Sequence, residues 1–580
     1  MIDAGFPLTF ASPAVPAVLP SFVFFAGALA VLLLRRDSLV LARGLVLLAV
    51  PLYGVLNLLS IEAGTTWGAS LSGLDLVLLR ADRLSLLFGL LFHLGALIGA
   101  IYALRVRDPL EHAAALVYAG SALGAVFAGD LVTLFFYWEG MALASALLVW
   151  AGRNRDSNGA GLRYLVMHLA SGLLLLAGAV IGYQESGTIA FDFLGTDSAA
   201  GWLILAAFGI KCGFPLVHTW ITDAYPCATP SGTVFLSMFT TKVAVYALAR
   251  GYAGTDLLVP IGTVMALFPI FYAVIENDLR RVLGYSMINQ IGFMVVGVGV
   301  GTDLALNGAV AHAFNEVLFK GLLFMSMGAV LYRVGHVLGS DLGGLYRSMP
   351  KTALLCAVGA ASISAFPLFC GFVSKSMIMS AMFTEGYGLA WLGLLFASAG
   401  VFHHAGIKIP YFAFFAHDRG LEVREAPANM LVAMGIAAVL CVAIGAWPAA
   451  LYGLLPWDAA YAPYSWGNVV LQLQLLLFSA LAFVWLQLTH VYPPELRSVN
   501  LDVDWLYRRP GPAAWRRLAD TLGRLRHRAG AGVPAVAARA GRRFFGARGV
   551  LSRPAETGTA AVLVGAALAG YILVYYLVSP

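Results

Sequence analysis

The residues best placed to do chemistry in this chain are its lysines. There are six, Lys211, Lys242, Lys320, Lys351, Lys375 and Lys408, against 30 arginines. Nearly every arginine falls in an expected loop or at the end of an apolar run, whereas five of the lysines lie within apolar runs and only Lys351 stands clearly in a loop. Arginine stays protonated in any protein setting, but a buried lysine can give up its proton near neutrality. An ionisable group in a bilayer span costs at least ~2.5–3.5 kcal/mol on insertion scales, so each such lysine is a functional candidate. Snorkelling to the surface accounts for Lys408, near the end of its run, and extends to Lys320. It does not account for Lys211, Lys242 or Lys375.

Acids and histidines complete the set. Glu139 lies inside the apolar run Phe135-Phe136-Tyr137-Trp138-Glu139-Gly140, where burial demands a cationic partner or a proton. His312, Glu316 and Lys320 follow one another at i, i+4 and i+8. On a helix that spacing places all three on one face, rising ~6 Å per step. Such a stripe suits a proton wire; its alternative is a satisfied polar cluster joining two helices. His168, His403 and His404 read as helix–helix hydrogen bonds, and His218 is better placed beside a helix break. No Walker loop is present, and Gly297-Val298-Gly299-Val300-Gly301 lacks the strand and helix start of a dinucleotide site. Five cysteines, with neither CxxC nor Cys/His spacing, read as small buried hydrophobes. No metal and no cofactor is expected, so any transport must be driven by an ion gradient or by another subunit.

The elements that position these groups must be membrane helices. Of 580 residues, 60% are hydrophobic and 11% charged, with a mean hydropathy of +0.83. A soluble domain carries about 25% charged residues, so a soluble enzyme, a nucleic-acid binder and a disordered scaffold are excluded. Apolar runs suggest sixteen spans, centred near residues 25, 49, 94, 121, 141, 173, 209, 240, 267, 291, 317, 366, 400, 440, 478 and 569. Ser60 to Leu79 reads as an extended loop. With the N-terminus outside, the arginines collect in inside loops through the whole chain, as the positive-inside rule requires. Phe214-Pro215-Leu216 and Phe366-Pro367-Leu368 repeat a proline break inside a span. Such breaks survive in a membrane only where the freed backbone is buried in protein or lines a wet cavity, and matched breaks mark a transport path. The net charge of +6 belongs to one C-terminal segment, since thirteen arginines fall between Arg497 and Arg553. With Trp505, Trp515, Phe544 and Phe545 as anchors, that segment reads as a surface for anionic lipid or a partner subunit.

Five pieces of sequence together carry a family resemblance: Phe136-Tyr137-Trp138-Glu139; Lys211-Cys212-Gly213-Phe214-Pro215-Leu216-Val217-His218-Thr219-Trp220; Asp278-Leu279-Arg280-Arg281-Val282-Leu283-Gly284-Tyr285-Ser286; Phe319-Lys320-Gly321-Leu322-Leu323-Phe324; and Gly371-Phe372-Val373-Ser374-Lys375. The chain resembles, over about residues 80 to 420, the antiporter-like membrane subunits shared by Mrp-type cation/proton antiporters and respiratory complex I. The stretch Thr241-Lys242-Val243-Ala244-Val245-Tyr246 looks most like the D-type member of the antiporter set, or the complex I subunit nearest to it. The resemblance implies an all-α polytopic fold of about fourteen core transmembrane helices, with two inverted five-helix repeats that each contain a broken helix, plus an extra C-terminal helix. It implies a proton path through Glu139, Lys211, Lys242 and Lys375, to which the His312–Glu316–Lys320 stripe read from spacing is added, with Pro215 and Pro367 at the breaks; relatives often have a histidine or another polar group where Glu316 stands. Where relatives continue the His-x-Trp motif with Leu-Pro-Asp-Ala, this chain has Ile221-Thr222-Asp223-Ala224.

The expected organisation is N-terminal helices and an extracytoplasmic loop over 1–110, a first proton-path repeat over 111–255 and a second over 256–416. Core helices follow over 417–490, then a basic cytoplasmic-side segment over 491–558 and a terminal span over 559–580. The expected function is that of a proton-translocating subunit of a multisubunit Na+(K+)/H+ antiporter in the bacterial inner membrane. The alternative is a proton-pumping subunit of a complex I-like NADH-quinone oxidoreductase; a dehydrogenase name would then describe only the parent complex. Expected partners are other membrane subunits, the lipid bilayer, and protons with Na+ or K+, but no nucleic acid.

Overall fold

The computed structural model describes residues 17–71, 74–493, 495–497, 500–511, 513–514 and 516–521. The expected terminal span, Trp515, Phe544 and Phe545 lie outside these residues. Two compact units divide the chain, Met1–Asn500 and Leu501–Pro580. In the second, a short helix Asp504–Arg508 carries an i,i+4 pair from Arg508 to Asp504.

The first unit is a membrane-spanning helical bundle. Twelve helices among the described residues are long and apolar enough to cross a bilayer, because a chain in lipid must satisfy its backbone internally. In chain order they and their shorter neighbours are α1 (Pro20–Leu33), α2 (Val40–Leu59), α3 (Arg83–Ala103), α4 (Pro109–Phe127), α5 (Leu131–Trp150) and α6 (Arg155–Ser186). Next come α7 (Ala199–Cys212), α8 (Thr219–Ala224), α9 (Pro230–Met238), α10 (Thr240–Gly251), α11 (Leu258–Ile275), α12 (Leu279–Val300) and α13 (Asp303–Val334). The series closes with α14 (Pro350–Ile363), α15 (Cys370–Thr384), α16 (Gly388–Phe415), α17 (Ala428–Ala446) and α18 (Trp466–Leu488). The expected loop from Ser60 to Leu79 instead contains most of an antiparallel hairpin, β1 (Thr66–Leu71) paired with β2 (Leu74–Arg80) and bulged at Trp67/Gly68. Arg80 ties it to Asp192 at 2.7 Å, and Arg250 reaches Asp82 at 2.6 Å on the same face.

Two five-pass repeats are visible in the caps. Asp130 accepts from the amides of Val132 and Thr133 to start α5, and bridges to Ala190 after the 32-residue α6. Asp278 accepts from the amides of Arg280 and Arg281 to start α12, and bridges to Leu338 after the 32-residue α13. Between the two caps the chain crosses five times: α5, α6, α7–α8, α9–α10 and α11. An odd number puts the caps on opposite faces, so the repeats are inverted. The Pro230–Gly251 pass and α12 are buried throughout and form the centre.

Candidate functional site

Both breaks have the same backbone device. After α7, Gly213 (φ 80°) and Leu216 (φ 73°) take left-handed conformations before α8 begins. After α14, Ala365 (φ 58°) and Leu368 (φ 74°) do so before α15. A non-glycine residue at such φ is strained, and strain of this kind persists only where the surroundings over-determine it. Each break frees carbonyls, and the side chains around it answer them. The Trp220 indole donates to Ile210 O at 2.9 Å, while Lys375 donates to Ile363 O at 2.9 Å.

Of the expected residues, Lys211, Lys242, His312, Glu316, Lys320 and Lys375 lie inside the bundle and Glu139 at its surface. Lys211 is fully buried, donates to the Trp138 carbonyl and sits 4.4 Å over the Trp138 ring. Glu139 follows Trp138 on α5, and its charge and that of Lys211 act on one another. The carboxylate is half-buried and packs against Gly172 of α6, where an added Cβ would fall 1.6 Å from Oε1. Lys242 on α10 makes a fully buried ion pair with Glu316 on α13, and also donates to Ser237 O at 2.9 Å. Lys320, one turn further along α13, donates to Ser286 Oγ at 2.8 Å. His312 is held between Ser374 Oγ (2.9 Å) and Gln290 Oε1 (3.2 Å). Lys242, Lys320 and Lys375 all lie close enough for their charges to bear on His312. Lys375 has no ion-pair partner among the described residues; its Nζ lies 4.9 Å over the Phe293 ring.

Lys375 also lines a cavity of about 550 Å³ with Phe293, Ser376, Ser398, Trp391 and Gln472, rimmed by the exposed Phe383 and Leu471. The hydroxyl of Ser398 is buried there with no hydrogen-bond partner among the described residues.

Some groups escaped the sequence reading. Asn289, Gln290 and Asn315 join the site: Gln290 donates to Asn289 at 2.6 Å, and Asn315 to Ser374 at 3.1 Å. The polar pair Asn289-Gln290 within the otherwise apolar stretch 287–300 of α12 was the available signal. Lys408 is not a snorkelling residue. It is fully buried, donates to the carbonyls of Ala273, Val274 and Glu276, and pairs with Glu495 at 3.0 Å. Lys320 is likewise fully buried. His168 does not join helices by hydrogen bonds; neither ring nitrogen has a partner among the described residues, and the ring packs between Tyr164 and Trp220.

This fold, with paired broken helices and a buried charged line, defines a multi-pass membrane protein of antiporter-like type. A family model described as "NADH:quinone oxidoreductase/Mrp antiporter, TM" matches residues 128–403. NADH-quinone oxidoreductase subunit N of Desulforudis audaxviator is 31% identical over 416 residues, covering 66% of this chain and 81% of that protein. The chain belongs to this family. Hydrogenase-4 component B of Escherichia coli is 28% identical over 63% of the chain, and the D component of the Na(+)/H(+) antiporter of Alkalihalophilus pseudofirmus is 28% identical over 52%. The matched stretch spans 62% and 64% of the length of these two relatives. Among solved structures, a chain of the archaeal membrane-bound sulfane sulfur reductase superposes with a TM-score of 0.70 at 24% identity, over 96% of this chain and 99% of that one. A chain of the Dietzia Mrp complex superposes with a TM-score of 0.68 at 22% identity, over 80% and 98%.

Proposed function

We propose that this chain is the proton-translocating membrane subunit of a multisubunit Na+(K+)/H+ antiporter, of the D type, in a bacterial inner membrane with its arginine-rich face toward the cytoplasm. The observation that carries the reading is the set of fully or nearly fully buried titratable groups Lys211, Lys242, Glu316, Lys320, His312 and Lys375, with the half-buried Glu139 beside Lys211. A single fold has no stability reason to bury so many, since a buried pair is at best weakly stabilising compared with apolar packing. While Glu139 is ionised near Lys211, attraction holds the proton on Lys211. When the pair separates, burial expels the proton toward Lys242 and the α13 stripe. Lys375 then releases it, and the two Phe-Pro-Leu breaks act as hinges with wettable backbone.

Glu139 also supports membrane partners. It is half-buried midway along a face of α5 that exposes Phe136, Leu143 and Leu147. A carboxylate only partly covered at that depth is costly, so a neighbouring subunit over this face would both cover it and perturb its charge. A second reading, a proton-pumping subunit of a complex I-like assembly, is favoured by the 81% coverage of the subunit N relative.

The test uses inverted membrane vesicles from cells producing the whole complex, wild type beside Lys211→Met, with a pH-sensitive dye. Sodium is added first and NADH second. Sodium-triggered proton flux that is lost in Lys211→Met supports the antiporter; flux only with NADH supports the redox-driven assembly. Unchanged flux in an assembled Lys211→Met complex overturns the proton-path reading.

A further inference from the structure

α16 is not α-helical throughout. Phe402–Ile407 and Tyr411–Phe415 take π turns on either side of Lys408. Such turns are rare and cluster at functional sites, because the extra residue re-aims side chains. Here they aim Lys408 at the end of α11. Its ammonium meets the carbonyls of Ala273 (3.2 Å), Val274 (2.6 Å) and Glu276 (2.7 Å), and Glu495 Oε1 at 3.0 Å.

Glu495 belongs to a strap that follows α18 and lies on the second repeat. Arg497 of the strap pairs with Asp341, and Asn500 donates to Glu276 Oε2 at 3.1 Å, with Arg281 3.8 Å from that same oxygen. A cavity of about 400 Å³, lined by Ser340, His417, Arg419, His490, Tyr492 and Glu495, opens at the arginine-rich face, where His417, Arg419 and His490 are exposed. Glu495, whose buried carboxylate pairs with Lys408, forms part of its wall.

On the other side of Lys408, one turn back on α16, lies His404. Its ring is fully buried, and its nitrogens have no hydrogen-bond partner among the described residues beyond a weak approach to the Gly400 carbonyl. The charges that bear on it are those of Lys408 and Lys320, with the His403 ring beside it. A clamp would need the ion pair alone. It would need neither a cavity walled by Glu495 nor a fully buried, unpartnered imidazole one turn from Lys408.

We propose that Glu495, Lys408 and His404 form a proton inlet from the arginine-rich face to Lys320, a route into the second repeat separate from the Glu139–Lys211 pair. This rests on the proton-translocation reading above. At rest Lys408 is an ammonium and Glu495 a carboxylate. A proton from cavity water converts Glu495 to its acid, and Lys408 loses its counter-charge. Lys408 then gives a proton to the His404 imidazole, which passes it to the Lys320 amine. The Glu495 proton moves to the Lys408 amine and restores the pair, so one proton has travelled from the cavity to Lys320. Burial raises the Glu495 carboxyl above its ordinary value, against the pull of Lys408, which favours loading.

The assembled complex in inverted vesicles provides the test, with Glu495→Gln, Glu495→Asp and His404→Leu compared at equal amounts of complex. Glu495→Gln and His404→Leu are expected to lower cation-driven proton flux at least about tenfold. Glu495→Asp should recover part of it, with the flux–pH curve displaced to lower pH because aspartate loads less readily, a displacement that a purely structural strap would not produce. Should Glu495→Gln fail to assemble, His404→Leu decides, since His404 pairs with nothing on the strap. Flux within about twofold of wild type in His404→Leu, with flux abolished in Lys211→Met, overturns the inlet and leaves the proton path standing. Normal flux in Lys211→Met overturns both.

Discussion

The two broken helices share a backbone and differ in how they keep a charge. In the first, Lys211 precedes the break, and the acid that balances it, Glu139, sits on another helix at the molecular surface. Trp220 takes the freed Ile210 carbonyl, leaving Lys211 to turn toward α5. In the second, Lys375 follows the break, holds the freed Ile363 carbonyl itself and faces a cavity rather than an acid. One device thus yields a site whose charge depends on a movable neighbour and another whose charge depends on the break. The physical difference is that a side-chain carboxylate can approach or leave, whereas a carbonyl at a strained turn stays where the fold puts it.

The largest expected effect falls on the lysines. Lys375→Met should reduce proton flux at least about 100-fold in an assembled complex, and Lys375→Arg should not rescue it, because a guanidinium does not release its proton. A functional Lys375→Arg complex would erase the distinction between a holding and a releasing site. Next comes Gly371, where an added Cβ would fall 1.8 Å from Ser362 O. Backbone cannot step aside cheaply, so Gly371→Ala should cost about 3 kcal/mol and deplete folded protein, read as monodisperse yield in detergent.

Gly172→Ala meets the Glu139 carboxylate instead, a side-chain end that can move. Folded yield should hold while flux falls about tenfold, equivalent to ~1.4 kcal/mol, through displacement of the acid from Lys211. If Gly172→Ala lost yield and Gly371→Ala lost only flux, the comparison would be reversed. The smallest effect belongs to the strap. Arg497 and Asp341 form an exposed pair, so Arg497→Ala should change stability by less than about 0.5 kcal/mol at pH 7. The hydrogen bond from Arg497 holds the Asp341 carboxyl below its ordinary value. A lowered carboxyl contributes stability above its unfolded value and loses it as pH falls through the folded one. The difference between Arg497→Ala and wild type in thermal midpoint should therefore vanish in acid.

Much of this is legible in the sequence. Fifteen of the sixteen expected span centres fall in a helix or in the break between α14 and α15, and the last lies outside the described residues. Hydropathy is local, and lipid leaves a chain few alternatives to a helix. Both breaks were readable because proline cannot continue a hydrogen-bonded helix. The hairpin at Thr66–Arg80 was missed because strands of only six and seven residues between spans carry little periodic signal.

Residue types and the repeated pair of proline breaks followed from the sequence alone, since composition and proline chemistry act over a few residues; the inversion of the repeats was an implication of the family resemblance. Partnership did not follow from the sequence. That Lys242 pairs with Glu316, that Gly172 makes room for Glu139, and that Lys408 meets Glu495 rather than water depend on helices far apart in the chain being packed side by side. A lysine near the end of an apolar run looks the same whether it snorkels or is buried. Only the tertiary structure, by bringing the end of α11 and the strap over it, decided which.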